Sequence, residues 1–251
     1  MTEEQFDLLI DFHRPAERQG PGSDALTRTM LRLLEHEFGP TAQIADIGCG
    51  TGSATIVLAQ ETQASITAVD LFPDFLQELE QRARALGQHH RITTRSESME
   101  KLSFAPESLD LIWSEGAIYN MGFERGVQAW KAFLKPGGYL AVSEIAWTTA
   151  DRPQELTDYW QQEYPEIDTI SAKIRVLEQN GYAPLAHVVL PPSCWLDHYY
   201  GPMQERFAAF LEKHHHSAVA TQLIEQEQQE IAYYQKYRGY YSYGFFLAQK
   251  R

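Results

Sequence analysis

Ala45-Asp46-Ile47-Gly48-Cys49-Gly50-Thr51-Gly52 follows a short apolar run and leads into an apolar helical pattern beginning near Ser53. The stretch reads as strand, tight glycine turn, helix. Gly48 and Gly50 permit backbone angles that a Cβ would forbid, so a ligand can approach main-chain N–H groups at the start of the following helix. A nucleotide-like ligand is the first expectation.

The third glycine comes one residue early for a dinucleotide fingerprint, and Asp46 stands two residues before the first. A dinucleotide site uses such a turn to hold a pyrophosphate, which a carboxylate in the turn would repel. A ligand with a cationic amino group and no phosphate would instead be attracted to Asp46. The next strand, Ser65-Ile66-Thr67-Ala68-Val69, ends at Asp70, twenty residues after Gly50. A carboxylate at that distance suits a bidentate bond to ribose hydroxyls.

Working outward, Phe6, Leu8, Leu9, Ile10 and Phe12 suggest a short helix over residues 3 to 13 whose place in the fold the pattern leaves open. Ser23 is a good N-cap for a helix carrying Leu26, Met30, Leu33, Leu34 and Phe38, which Gly39-Pro40 ends. Pro73 opens a helix that Gly87 closes. Strands are expected at 91–95, 108–114, 139–144 and 187–190, with Lys135-Pro136-Gly137-Gly138 as a turn and Trp195 to Tyr200 as a loop. Residues 147–182 read as a helical addition, and between Asp151 and Ile170 they hold six acidic residues and one arginine. Such a face could favour a cationic substrate, although a solvated acidic face is the commoner reason.

The formal net charge of −13 argues against a nucleic-acid partner, because phosphates must be met by clustered Lys and Arg. Two cysteines, Cys49 and Cys194, give no disulfide framework and fit a reducing cytoplasm. The acidic N-terminus is not followed by a long apolar run, so neither a secretory signal nor a membrane span is expected. His214-His215-His216 reads as an exposed run between helices, and no metal site is expected.

The Asp-Ile-Gly-Cys-Gly-Thr-Gly run resembles the first motif of class I S-adenosylmethionine-dependent methyltransferases. The resemblance extends to Arg18-Gln19-Gly20-Pro21-Gly22-Ser23, Asp70, Trp113-Ser114-Glu115-Gly116-Ala117-Ile118-Tyr119-Asn120, Leu134-Lys135-Pro136-Gly137-Gly138 and Trp195 to Tyr200, and it is nearest to the bacterial ubiquinone and menaquinone biosynthesis group. It implies an α/β fold: a Rossmann-like, seven-stranded, mostly parallel sheet with an antiparallel last strand inserted between the fifth and sixth, and a helical cap. The expected single domain divides into an N-terminal helical segment (1–40), a cofactor-binding core (41–146), the cap (147–182) and the C-terminal part of the sheet (183–251).

The cofactor implied is S-adenosylmethionine, with contacts expected from Asp46, Gly48, Cys49, Gly50, Gly52, Asp70, Leu71, Ser98, Met99, Glu115, Gln19 and Gly20. The position of Ser98 is commonly Asp in related enzymes, where it takes the adenine amino group; a hydroxyl can accept only part of that bond. A magnesium site would use Glu115 and Glu144 but lacks its Asp/Asn partners. A small-molecule methyl acceptor is implied, with orientation supplying much of the rate. Tyr119, Trp147, Trp195 and Tyr199 are candidate aromatic faces for the sulfonium, and His198 and Tyr119 are candidate general bases. A non-catalytic or regulatory S-adenosylmethionine-binding protein and a nicotinamide-dependent oxidoreductase remain as alternatives.

Overall fold

A computed structural model describes residues 2–34 and 37–251. The last stretch of the expected second helix therefore lies partly outside the described residues, at Glu35 and His36. In chain order the elements are α1 (Glu3–His13), α2 (Asp24–Arg32), β1 (Gln43–Ile47), α3 (Ser53–Glu61), β2 (Ser65–Asp70), α4 (Pro73–Ala85), β3 (Ile92–Ser96), β4 (Leu109–Ser114) and α5 (Phe123–Trp130). Then follow β5 (Leu134–Trp147), α6 (Gln154–Glu163), β6 (Asp168–Thr169), α7 (Ile170–Gln179), β7 (Tyr182–Val189), α8 (Pro192–Trp195), α9 (Gly201–Lys213), α10 (Ala218–Tyr237) and β8 (Tyr241–Lys250).

The strands form one sheet in the order β3-β2-β1-β4-β5-β8-β7, with β6 pairing the end of β5. β8 runs antiparallel to both β5 and β7, and the other pairings are parallel. The expected mostly parallel sheet with its inserted antiparallel strand is thus present, with the two-residue β6 added as an eighth strand. Leu134–Gly138 is part of β5 rather than a separate turn. Its register with β4 passes from Leu109–Leu134 to Leu111–Tyr139 through a bulge, which accommodates Pro136 without requiring its missing N–H in the ladder.

Both sheet faces are covered, so the central strands are apolar on alternate residues in both directions. Ile44, Leu111, Trp113 and Phe245 pack on one side beneath α1, α2, α9 and α10. Ala45, Ile47, Ile112 and Phe246 pack on the other beneath α5 and α7. Of the two helices in the 147–182 segment, α7 leans on β7 and α5, whereas α6 packs its one buried side chain, Leu156, into the α10 side of the core. Trp195 to Tyr200, expected as a loop, is the end of α8 followed by a π-helical turn, Leu196–Tyr200, that runs into α9. Pro192 at the first turn of α8 starts this run, where its missing N–H costs nothing. Among the described residues no helix is long and apolar enough to cross a membrane.

Gly52 caps α3 at φ +88°, and a Cβ there would lie 2.1 Å from Leu79 Cδ1 of α4. The missing side chain lets α4 close on the glycine turn. Gly52→Ala combines left-handed strain with overpacking and should lower unfolding free energy by about 2–4 kcal/mol in urea denaturation. A loss below about 0.5 kcal/mol would mean that Leu79 turns aside freely.

Candidate cofactor and acceptor site

The C-terminal ends of β1, β2 and β4 open on a cavity of ≈ 750 Å³, closed on its far side by one face of α1. Phe6, Leu9, Ile10 and His13 supply that face, spaced as one side of a helix, and Phe6 meets Phe72 edge-on at 5.3 Å. This answers where the N-terminal helix sits, which its periodicity alone could not.

The glycine turn does not offer free amides to a ligand. Gly48 and Cys49 donate to the Val69 carbonyl at 2.8 and 3.0 Å, and Gly52 donates to the Cys49 carbonyl at 2.9 Å. Gly50 N–H donates to Asp70 Oδ2 at 2.8 Å and Thr51 N–H to Gln19 Oε1 at 2.9 Å. A Cβ on Gly50, whose φ is +54°, would lie 2.1 Å from that Gln19 oxygen. Every amide from residue 48 to 52 is therefore occupied by the protein itself, which corrects the expectation drawn from the sequence. A pyrophosphate has no vacant N–H group there to bind.

Asp70 is held at the end of β2 by two amides, since Oδ1 also accepts from Phe72 N–H at 3.0 Å. Burial pushes its carboxyl up against the pull of these N–H groups. Each oxygen keeps one lone pair for a hydroxyl donor on the cavity side. Asp46 lies deeper, 1% exposed, accepting from Thr55 Oγ1 at 2.5 Å. Burial drives its carboxyl up to about 7, opposed by the Thr55 bond and reinforced by the negative Glu115 and Asp70.

Glu115, expected as a ligand contact, is held by three donors: Arg18 Nη1 at 2.9 Å, Thr27 Oγ1 at 2.7 Å and Trp113 Nε1 at 2.9 Å. Both members of the Arg18–Glu115 ion pair are about nine-tenths buried, and Arg18 also bridges to Asp24 at 3.0 Å. Ser98 and Met99 line the cavity beyond β3; the Ser98 hydroxyl accepts from Glu100 N–H at 3.3 Å, and Trp130 Nε1 holds the Met99 carbonyl.

The cavity gathers Asp46, Gly48, Cys49, Gly50, Asp70, Leu71, Ser98, Met99, Glu115, Gln19 and Gly20, together with Tyr119 and Tyr199. Gly52 is not among its walls, because it faces Leu79. His198 is exposed and does not line the cavity, since the π-helical turn presents its neighbour Tyr199 there instead. Trp147 and Trp195 are core residues. Arg152 covers the ring of the first at 4.2 Å, and the second stacks on Tyr234 at 4.4 Å and donates to Ser242. Among the wall residues that the sequence did not single out as contacts are Arg18, His13 and Phe72. Arg18 carried the one available signal, a lone cation beside a glycine-rich loop.

Residues 44–138 match the family described as a methyltransferase domain. The chain is similar to the methyltransferase GfsG of Streptomyces halstedii, at 28% identity over 123 residues, covering 49% of this chain and 44% of that one. It is also similar to the ubiquinone/menaquinone biosynthesis C-methyltransferase UbiE of Geotalea daltonii, at 27% over 113 residues, 44% of this chain and 48% of that one. The matches thus take in less than half of each of these relatives. A solved S-adenosylmethionine-dependent methyltransferase from Geobacter sulfurreducens, in complex with S-adenosylhomocysteine, shares the fold with a TM-score of 0.84 at 18% identity, over 100% of this chain and 99% of that one.

The stretch 44–138 thus owes the partner of its buried Glu115 to a segment outside itself, Arg18. Arg18→Met should leave the Glu115 charge without its cation and cost about 3–5 kcal/mol of stability by chemical denaturation. The double variant Arg18→Met/Glu115→Gln should recover most of that loss. Equal losses in the single and double variants would show that packing, not charge, is what Arg18 contributes.

Proposed function

We propose that the protein transfers the methyl group of S-adenosylmethionine to a small-molecule acceptor bound in the same cavity. The observation that carries this reading is the combination of Asp70, buried and facing the cavity, with a glycine turn whose amides are already filled. Such a site suits an adenosine with a positive tail and disfavours a dinucleotide, which needs the amides for its phosphates. The residues fit the cofactor. Asp70 accepts from the ribose hydroxyls, Leu71, Ser98 and Met99 border the adenine, and Asp46 and Glu115 set a negative field around the amino group.

When bound, S-adenosylmethionine supplies a methyl group already activated by its sulfonium. The protein's share is orientation and exclusion of water, which α1, Tyr119 and Tyr199 provide by closing the cavity. The net charge of −13 supports a small acceptor over nucleic acid, and the two buried free cysteines suit a reducing cytoplasm. Membership of the ubiquinone and menaquinone group is supported by the UbiE similarity, with the nucleophile left unassigned.

Calorimetry with S-adenosylmethionine, S-adenosylhomocysteine and NAD side by side tests the reading: the first two should bind and NAD should not. Asp70→Ala should weaken binding of both by about 1.5–3 kcal/mol, the contribution of hydrogen bonds to a charged group. Preference for NAD, or no heat from either adenosyl ligand, would end the proposal.

Asp46 adds a pH signature. A cationic amino group brought near it favours the carboxylate, so a carboxyl that titrates at about 7 in the free protein loses its proton on binding. Affinity for the cofactor should therefore rise between about pH 6 and pH 8, with roughly half a proton released at pH 7, read as a buffer-dependent binding heat. Asp46→Asn should abolish both effects; a buffer-independent heat in the unsubstituted protein would contradict the assignment.

A further inference from the structure

Beyond the cofactor end, the cavity is bounded by His13 of α1, by Tyr119 after β4 and by Tyr199 of the π-helical turn. Behind these stands α10 with two carboxylates three residues apart, Glu227 and Glu230, on neighbouring positions of one helix face. Like charges at this spacing repel, and neither is matched by a Lys or Arg salt bridge among the described residues. Glu227, only 13% exposed at its side chain, has His13 Nε2 at 3.7 Å, while Glu227 Oε2 and His13 Nδ1 are both buried without a hydrogen-bond partner. Glu230 accepts from the Tyr200 hydroxyl at 2.8 Å. Arg206 of α9 feels the charge of Glu227 without a salt bridge to it; its guanidinium lies over the Phe12 ring at 5.4 Å and its Nη1 donates to the Pro202 carbonyl. Burial together with the charges of Glu230 and Glu227 holds the Tyr199 hydroxyl well above its ordinary value, as a negative field at this wall requires.

The lining residues carry the same sign. Asp46, Asp70, Glu97, Glu100 and Glu115 face the cavity, against Arg18 as its one Lys or Arg among the described residues, and Arg18 is already bonded to Glu115 and Asp24. A buried carboxylate that lacks its hydrogen bonds is costly, and a cationic donor relieves it best. Two tyrosine rings at the same end offer faces to a positive charge.

We propose that the acceptor is a protonated amine, received at the end of the cavity bounded by His13, Tyr119 and Tyr199 and backed by Glu227 and Glu230. The proposal rests on the methyltransferase reading above and narrows it to nitrogen. The ammonium gives one proton to the His13 imidazole, which lies 3.7 Å from the Glu227 carboxylate. The freed nitrogen lone pair forms the N–C bond as the S–C pair returns to sulfur, and the methylated amine leaves with the positive charge.

The test uses the full-length protein saturated with S-adenosylhomocysteine and titrates three probes of one shape and different charge: benzylamine, benzyl alcohol and benzoate. Benzylamine should bind at least about tenfold more tightly than the alcohol, and benzoate should be the weakest, as expected for a site of negative field. Glu227→Gln should reduce the amine preference to less than about threefold with S-adenosylhomocysteine affinity unchanged, which also shows that the variant is folded; Glu230→Gln is the second variant should the first not fold. Benzyl alcohol or benzoate binding as well as the amine, an amine that does not bind, or a preference that survives both substitutions would overturn the proposal. Failure here leaves the cofactor reading standing, because S-adenosylhomocysteine binding is measured separately.

Discussion

The carboxylate of Asp70 takes two amides at the edge of the cavity: Gly50 N–H from the glycine turn and Phe72 N–H from the start of α4. That single group ties β2 to the turn after β1 while leaving lone pairs turned toward the cavity. A charged acceptor bound by two backbone donors is strong and directional, so the turn is fixed before any ligand arrives. Gln19 completes the arrangement from the other side, filling Thr51 N–H and the space that a Cβ on Gly50 would need. A turn whose amides are spent on the protein can be rigid without being an anion site, and this difference separates it physically from a pyrophosphate-binding loop.

The price of concentrating carboxylates there is electrostatic. Glu115 and Asp70 sit close enough to Asp46 to raise its proton affinity, and the Arg18 guanidinium opposes them. Asp46 absorbs the imbalance by holding a proton more tightly than an exposed carboxyl does, whereas Glu115 stays paired. The two buried acids thus have different tasks set by environment alone. Arg18 comes from the segment between α1 and α2, so closing that segment over the cleft is coupled to neutralising Glu115.

The parts legible in the sequence were those in which function and fold use neighbouring residues. Strand, glycine turn, helix and the next strand ending at Asp70 lie within thirty residues, and each has a local signature in apolar runs, glycines and a terminal carboxylate. The insertion of β8 between β5 and β7 followed from the resemblance and not from any local pattern. What escaped was set by packing between distant segments. No periodicity says that the Phe6-to-His13 face of α1 covers a cavity, or that Gly52 is small for the sake of Leu79. The turn at Leu196–Tyr200 shows the limit most clearly. A π-helical widening shifts the phase of the side chains by a fraction of a turn, so the aromatic presented inward is Tyr199 and the histidine beside it faces out.

The same division of labour separates the two walls of the cavity. Residues 44–138 build one wall of the cavity from consecutive β-α units, whose geometry is constrained by one continuous sheet. The opposite wall is assembled from α1 at one end of the chain and from the π-helical turn near the other, with α10 packed behind α1. Those elements touch the sheet through apolar contacts that tolerate exchange of the side chains facing the cavity. A change at His13, Tyr199 or Glu227 can therefore alter what the cavity admits without disturbing Asp70 or the glycine turn. The side chains of that wall are thus free to vary on a scaffold whose sheet and glycine turn are held fixed, and here they are His13 and Tyr199, with Glu227 3.7 Å behind His13.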